Sequence, residues 1–313
     1  HTQYDWLSFS DACRLLKFDG NRTALWELDR RLHGGPRSAL HPVQAHSLDE
    51  NLVFVKLGGS LITDKTQAHH AQLDVLARLA DEIATVLSKR PDMRLILGHG
   101  SGSFGHVPAK KYGTRQGVRT EQEWRGFFEV WQEASSLNRI VLQALHAAGL
   151  PAVTFAPSAG VLAHNGQVTQ WNLTPLKTAL DHGLLPVIYG DVVFDTSRGG
   201  TILSTEDLFA HLARELHPIR LFLAGLEDGV WEDYPLCTRL IPKITSQNYP
   251  QLRLTLQGSA GTDVTGGMES KVRQALALVA EIPGLQAWIF SGAVPGNVQL
   301  ALQGVALGTQ VSA

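Results

Sequence analysis

The 313-residue chain has only two cysteines, Cys13 and Cys237, and they stand alone. Neither belongs to a C-x-x-C pair or to any metal-ligand spacing, so a disulfide framework and a zinc ribbon are excluded and a reducing cytoplasm is the expected compartment. Long apolar runs are missing too. No stretch approaches the roughly 18 residues of a membrane-spanning helix, and no signal peptide is visible. An excess of either charge is also lacking, since 27 Lys and Arg face 29 Asp and Glu. That balance offers no nucleic-acid footprint, so any anion site must be local. The sequence contains no G-x-x-x-x-G-K-[ST], H-E-x-x-H or G-x-S-x-G, which removes P-loop, zincin and nucleophile-elbow chemistry.

What the chain does have is an ordinary share of core-forming residues, 44% apolar against 18% charged. That suffices for one large α/β domain with a small appendage, or for two domains. The densest information lies between Met93 and Tyr112. Leu95-Ile-Leu97, bounded by Pro91 and by glycine, reads as a buried strand. It breaks into Gly98, Gly100, Gly102 and Gly105, with only small or polar residues between them apart from Phe104. Glycines this dense bring backbone N–H groups close to a ligand, and a following helix adds partial positive charge at its N-terminus. An anion belongs there. His106, Lys110 and Lys111 supply donors and charge on the scale of one phosphate, whereas His99 sits at the strand end behind the loop and reads as a structural histidine. Gly100 to Gly105 also fits G-x-G-x-x-G, but a dinucleotide fold puts that loop after its first strand, with an acidic residue about 20 positions on. Here an earlier strand carries its own glycines, and only Glu121 and Glu123 lie near that distance. A purely structural glycine turn is the other alternative.

In chain order, residues 1–32 read as two short helices, capped by Ser8 or Ser10 and by Asn21 or Thr23, and 33–50 as a linker rich in Gly, Pro, Ser and His. The main domain, 51–313, opens with a strand at 52–57 that contains Lys56, then Gly58-Gly59-Ser60, then Lys65 in a loop. A lysine in an apolar strand is costly unless its ammonium reaches a partner. An amphipathic helix spans 73–90 and a long one 121–148; most of the stripe Trp124, Phe127, Phe128, Val130 and Trp131 is expected in the core, with part of it walling an apolar pocket beside the loop. A strand at 151–155 precedes turns at 157–160 and 164–166, a helix at 173–180 and a strand ending in Gly190-Asp191. After an excursion that turns at 197–200, Ser204-Thr-Glu-Asp207 caps a helix at 208–216. The strand at 219–224 leads into Gly225-Leu-Glu-Asp228-Gly229, and a second glycine loop, 258–267, ends in Gly266-Gly267 and enters a helix bearing Lys271. A strand at 285–290, a short helix at 297–302 and a last strand at 309–312 complete the chain. Such alternation argues for a largely parallel sheet covered on both faces, with ligands at the carboxyl ends of its strands. Gly58, Gly98, Gly190 and Gly225 all fall at those ends, which joins them into one site.

Two glycine loops, lysines at 56, 65 and 271, and carboxylates at 191 and 207 suit phosphoryl transfer, where catalysis is mainly positioning and charge neutralisation. In Val55-Lys-Leu-Gly-Gly-Ser-Leu-Ile-Thr-Asp-Lys65, His99-Gly-Ser-Gly-Ser-Phe-Gly-His106, Tyr189-Gly-Asp191, Asp263-Val-Thr-Gly-Gly-Met-Glu-Ser-Lys271, and Gly304 with Gly308-Thr309, the chain resembles the amino acid kinase superfamily. Within it the resemblance is to the isopentenyl phosphate kinases, in order from about residue 51 to the end. It implies a three-layer αβα sandwich, commonly a homodimer, and ATP- and Mg²⁺-dependent transfer of the γ-phosphoryl group to isopentenyl phosphate, giving isopentenyl diphosphate. By the same resemblance His106 would bond the acceptor phosphate, helped by Gly100, Ser101, Gly102 and Gly105, with Gly190 and Asp191 at the same end. Lys65 and Lys271 would contact the donor phosphates, Lys56 would neutralise charge between donor and acceptor, and Asp207 would orient the lysines. Gly58, Gly59, Ser60, Gly266 and Gly267 would hold ATP, whose adenine and ribose would lie along Gly225, Asp228 and Gly229. No side chain is assigned to a metal.

Two departures from the family pattern stand out. Ser101 replaces a glycine usual in many members, and Ser204-Thr-Glu-Asp207 stands where Ser-Gly-Asp-Asp is more usual. A phosphate monoester is largely dianionic at neutral pH, its second pKa being about 6, and needs no base. His106 should therefore donate and position. Residues 1–32 resemble the C-terminal end of Nudix hydrolases, but the acidic metal-binding box is absent, so a remnant or the tail of a truncated fusion without hydrolase chemistry is expected. The rivals are a fosfomycin-type kinase and a nucleotide-binding module that no longer turns over.

Overall fold

The computed structural model describes residues 11, 12, 25, 48–64, 66, 67, 69–256 and 267–313, without the side chains of 106 and 253–256. Nearly all of the expected helical segment at 1–32, and the linker up to residue 47, lie outside the described residues. The chain divides into two compact units, His1–Ser47 and Leu48–Ala313. All described strands belong to the second.

The strands are β1 (Asp49–Leu57), β2 (Arg94–His99), β3 (Ala152–Thr154), β4 (Val161–His164), β5 (Gln167–Trp171), β6 (Leu185–Tyr189), β7 (Asp191–Asp195), β8 (Gly199–Leu203), β9 (Pro218–Gly225), β10 (Val230–Trp231), β11 (Leu240–Ile241), β12 (Lys243–Ile244), β13 (Gln286–Ser291) and β14 (Thr309–Val311). The helices are α1 (Gly59–Ile62), α2 (Leu73–Lys89), α3 (Gly102–Tyr112), α4 (Glu121–Ala147), α5 (Pro157–Gly160), α6 (Thr174–Asp181), α7 (Thr205–Leu216), α8 (Tyr249–Leu256), α9 (Gly267–Glu281) and α10 (Asn297–Leu302). Eight strands form the central sheet in the order β12-β14-β13-β9-β1-β2-β6-β3. It is parallel except where β14 runs against β13. A smaller sheet, β5-β4-β7-β8, carries the excursion between β3 and α7.

The apolar run of β1 explains the layering. Side chains alternate across a strand, so Leu52 and Phe54 enter one core with Ile96, Leu221 and Leu223, while Val53, Val55 and Leu57 enter another with Leu95, Leu97 and Phe222. The first core is closed by α7 and α9 through Leu208, Phe209, Leu212, Val272 and Val279. The second is closed by α2, α4 and α10 through Leu79, Ile83, Leu137, Val141 and Val298. Burial on both faces is what a continuous apolar strand requires, at roughly 1.5–3 kcal/mol for each large side chain. The result is the expected three-layer αβα sandwich.

Local differences have physical causes. β1 starts at Asp49, inside the expected linker. The 157–160 turn is a short helix with Pro157 at its start, and the hairpin itself turns at Asn165-Gly166, both with positive φ. The α4 aromatic stripe is a correction: Trp124, Phe128 and Trp131 are 37%, 54% and 40% exposed. Its buried face is Gly126, Val130, Ala134, Leu137, Val141 and Leu145. Small and aliphatic side chains take the sheet, and the aromatics lie on the neighbouring face. There Trp124 and Phe127 pack on each other and on Phe194, with centroids 5.2, 5.3 and 6.1 Å apart.

Candidate active site

The ends of β1, β2 and β9 are tied backbone to backbone. Gly58 N–H donates to the Ala224 carbonyl at 2.8 Å and Gly100 N–H to the Leu57 carbonyl at 3.0 Å. The two loops then run against each other with no side chain between them: a Cβ on Gly59 would stand 2.4 Å from the Gly102 nitrogen, and one on Gly102 would stand 2.0 Å from Thr63 Oγ1. Gly102 also has φ +51°, a conformation that favours glycine. These glycines are needed first for loop-to-loop contact. Thr63 fastens the arrangement, donating its hydroxyl to the Gly59 carbonyl at 2.8 Å and accepting Ser103 N–H at 2.9 Å. Ser101, the departure from glycine, uses its hydroxyl to reach the Gly190 carbonyl at 3.1 Å, tying in the end of β6.

Within this knot the N–H groups of Gly59, Ser60, Ser101 and Gly102 are given to no oxygen among the described residues. Four amides converging at the start of α1 and α3 make an oxyanion cradle.

The positive charge comes from β1 and α9. Lys56 is buried, and its ammonium is ion-paired with Glu206 of α7. Burial opposes the charge on Glu206, but Lys56, with Lys271 behind it, outweighs burial and holds this carboxyl below its ordinary value. Lys271 itself lines the cavity from the start of α9, next to Gly267 and Met268. The neighbouring carboxylate, Asp207, looks elsewhere. It closes a capping box by accepting Ser204 N–H at 2.9 Å, and it also meets Arg115 at 3.1 Å and Gln274 Nε2 at 3.3 Å. In this geometry Lys56 pairs with Glu206, while Asp207, expected to orient the lysines, is bonded to Ser204, Arg115 and Gln274.

These groups surround a cavity of about 300 Å³. The structure brings together Lys56 with Gly58, Gly59 and Ser60; Gly100, Ser101, Gly102 and Gly105 with Gly190; Gly225 with Gly229; and Gly267 with Lys271. One end is apolar, formed by Ala109, Val130 and Ile202, so Val130 is the part of the α4 stripe that reaches it. Four expected positions fall outside the wall: Asp207, held as described above, and three more. Asp191 is fully buried behind Gly190, Asp228 is exposed beyond the cavity, and Gly98 packs within β2 against Phe209 and Thr205. Lys65 and Gly266 lie outside the described residues, as does the side chain of His106. Sequence reasoning missed Thr63, Arg115, Glu206 and Glu227, of which the last three line the cavity.

Two buried titratable groups support the cradle from behind. His99 is wholly buried, its Nδ1 3.2 Å from the Gly100 carbonyl and its Nε2 3.2 Å from Asn138 Oδ1, and it stacks on Tyr189. Burial pushes its pKa down, so it is a neutral structural ring. Burial also pushes Asp191 up to about 6, against the hydrogen bonds it accepts from Ser158 and from Val192 N–H.

Comparison with known proteins agrees with this geometry. The sequence profile of the amino acid kinase family matches residues 51–291. An isopentenyl phosphate kinase of Methanothermobacter thermautotrophicus is 36% identical over 263 residues, 81% of this chain and 96% of that protein. One of Methanocaldococcus jannaschii is 32% identical, covering 83% and 98%. A crystal structure of an isopentenyl phosphate kinase superposes with a TM-score of 0.71 at 32% identity, covering 83% of this chain and all of the other. The chain belongs to the amino acid kinase family, and these relatives, matched over nearly their whole length, are isopentenyl phosphate kinases.

Proposed function

We propose that the chain transfers the γ-phosphoryl group of ATP to isopentenyl phosphate, forming isopentenyl diphosphate. The observation that carries this is the Lys56–Glu206–Lys271 cluster set beside a cradle of unclaimed amides, in a cavity with one apolar end. An anionic acceptor needs positioning and neutralisation more than a base. The amides of Ser101 and Gly102, with His106, hold the acceptor phosphate, while Ala109, Val130 and Ile202 accept its hydrocarbon tail. Lys271 and Lys65, with Gly58, Gly59, Ser60, Gly266 and Gly267, hold the donor phosphates. Lys56, fixed by its ion pair with Glu206, spreads the charge that builds between donor and acceptor. Gly225 and Gly229 flank the nucleoside, with Asp228 at its outer side.

Among the described residues no group of three His, Cys, Asp or Glu is gathered to hold a metal. Glu206 and Glu227 are the carboxylates on the wall, and Glu206 is engaged by Lys56. Mg²⁺, which favours phosphate oxygens and water, would fit as an ion carried in on the nucleotide and would supply charge neutralisation to its phosphates. A homodimer is part of the same reading, supported by the exposed α4 aromatics and by β3, an edge strand whose Val153 is 40% exposed. No helix among the described residues is long and apolar enough to cross a membrane. We place the enzyme in the cytoplasm on the isolated cysteines.

The test is ADP release against isopentenyl, dimethylallyl and longer prenyl phosphates, with fosfomycin alongside. Preference for the five-carbon phosphates is expected. Preference for fosfomycin, or ATP binding without ADP release on any acceptor, overturns the proposal.

A further inference from the structure

Thr205 is the first residue of α7, standing between the cap Ser204 and the carboxylate that pairs with Lys56. It is 1% exposed, and both branches of its side chain are engaged. The hydroxyl donates at 2.6 Å to the carbonyl of His99, the last residue of β2. The methyl fills the space that a side chain at position 98 would need: a Cβ on Gly98 would stand 2.6 Å from Thr205 Cγ2. Gly98 is therefore a socket for Thr205, which accounts for a glycine that lies outside the cavity wall. The strand register places this contact beside the lysine, because Gly98 and His99 of β2 are paired with Lys56 and Leu57 of β1.

The residues around Thr205 leave this anchoring to it. Ser204 and Asp207 close the capping box on each other, and Asp207 turns further to Arg115 and Gln274. Within Ser204–Asp207, Thr205 is the one side chain that bonds the backbone of the central sheet. A β-branched side chain is already stiff at χ1, and here its two branches fix the first turn of α7 on β2, one residue from Glu206 and one strand from Lys56. We propose that Thr205 is a positioning residue: its hydroxyl, held by the His99 carbonyl, sets where α7 presents Glu206 and so where the Lys56 ammonium stands in the cavity. Misplacing a reacting or charge-bearing group by about 1 Å can cost on the order of a hundredfold in rate. The placement of the ion pair is a property of the fold, whereas its effect on turnover rests on the phosphoryl-transfer reading.

Thr205→Val keeps the methyl and removes the donor, and the His99 carbonyl still accepts Gly190 N–H at 3.3 Å, so the variant should fold. Thr205→Ser keeps the donor. The ion pair is read first without substrate, as the rate at which acetic anhydride acylates Lys56 in the folded whole chain, followed by peptide mass spectrometry. Thr205→Val should speed acylation at least about threefold, Glu206→Gln at least as much, and the two together no more than Glu206→Gln alone, as expected of residues acting through one contact. Thr205→Ser should return the rate to within about twofold of the unaltered chain, because it restores the bond. In steady-state kinetics Thr205→Val should lower kcat about tenfold, move the KM for ATP less than about twofold, and cost nothing more on the Glu206→Gln background. An acylation rate that Thr205→Val leaves unchanged, a loss that adds to that of Glu206→Gln, or a serine variant that behaves like the valine one overturns the positioning role. Faster acylation with kcat unchanged overturns its link to turnover. Faster acylation in a chain that phosphorylates no acceptor upholds the positioning of the ion pair and tells against the kinase reading alone.

Discussion

The Lys56 ammonium and the Glu206 carboxylate pair inside the cavity, joining residues 150 positions apart in the chain. One comes from the central strand and the other from the first turn of α7, so the pair holds a charge at a fixed point beside the cradle. A buried ion pair adds little net stability, but stranding one partner is expensive.

Glu206→Gln strands Lys56. Loss of a buried partner costs on the order of 3–5 kcal/mol, so the urea midpoint should fall. Turnover should fall by roughly a hundredfold, about 2.7 kcal/mol, with kcat moving more than the KM for ATP. Asp207→Asn should cost only about 1 kcal/mol of helix capping and leave turnover within tenfold. The reverse order in steady-state kinetics would return the lysine-ordering role to Asp207.

Lys271→Ala and His106→Ala should separate the two ends of the cavity. The lysine variant should lose turnover more than nucleotide binding. The histidine variant should lose charge-assisted bonds to the acceptor, about 1.5–3 kcal/mol, or roughly ten- to a hundredfold in kcat/KM for the acceptor. Unchanged acceptor kinetics would remove His106 from the site.

Thr63→Val removes the hydroxyl that accepts Ser103 N–H and is close to its shape otherwise. An unsatisfied buried donor costs about 1–3 kcal/mol, and thermal unfolding should register it. Gly102→Ala should be worse, because its Cβ would meet Thr63 at 2.0 Å and its φ is +51°. Wild-type stability in both variants would mean the loops do not need this contact.

Asp191 predicts a pH dependence. Its pKa is raised from 3.8 to about 6 in the folded chain. The native state therefore binds this proton more tightly than the unfolded state between those values, so the group's contribution is fullest below the window and is lost as pH rises through it. The loss amounts to about 3 kcal/mol. Stability of the wild type relative to Asp191→Asn, from urea unfolding, should decline by that order between pH 4 and 7. A flat difference would mean Asp191 titrates like a free carboxyl.

Much of this was legible in the residues. The apolar runs around 52–57, 95–97, 185–189 and 219–224 appear as adjacent parallel strands, because only a sheet covered on both faces can bury them throughout. The glycines at 58, 59, 100 and 102 do meet at strand ends. Sequence periodicity could not show which face of α4 is covered, since the aromatic and the aliphatic stripes have the same spacing. Glu206 was harder still, with two adjacent carboxylates to choose between. The signal was nonetheless present: in Ser-x-x-Asp the acidic residue at the third helical position folds back on the cap. That turns Asp207 toward the cap and leaves Glu206 free to pair with Lys56. Arg115 gave no such signal, because its contact with Asp207 depends on a turn that only the tertiary fold creates.

The lacing of three strand ends through Leu57, Gly58, Gly100 and Ala224 has a consequence for how this protein can change. There is no slack there: sliding one strand by a single register would pull the donors out of its neighbours. On the proposed reading, evolutionary or engineered drift in what the protein accepts would be steered toward Ala109, Val130 and Ile202, where side chains can be traded in size, while the contacts between the strand ends are kept.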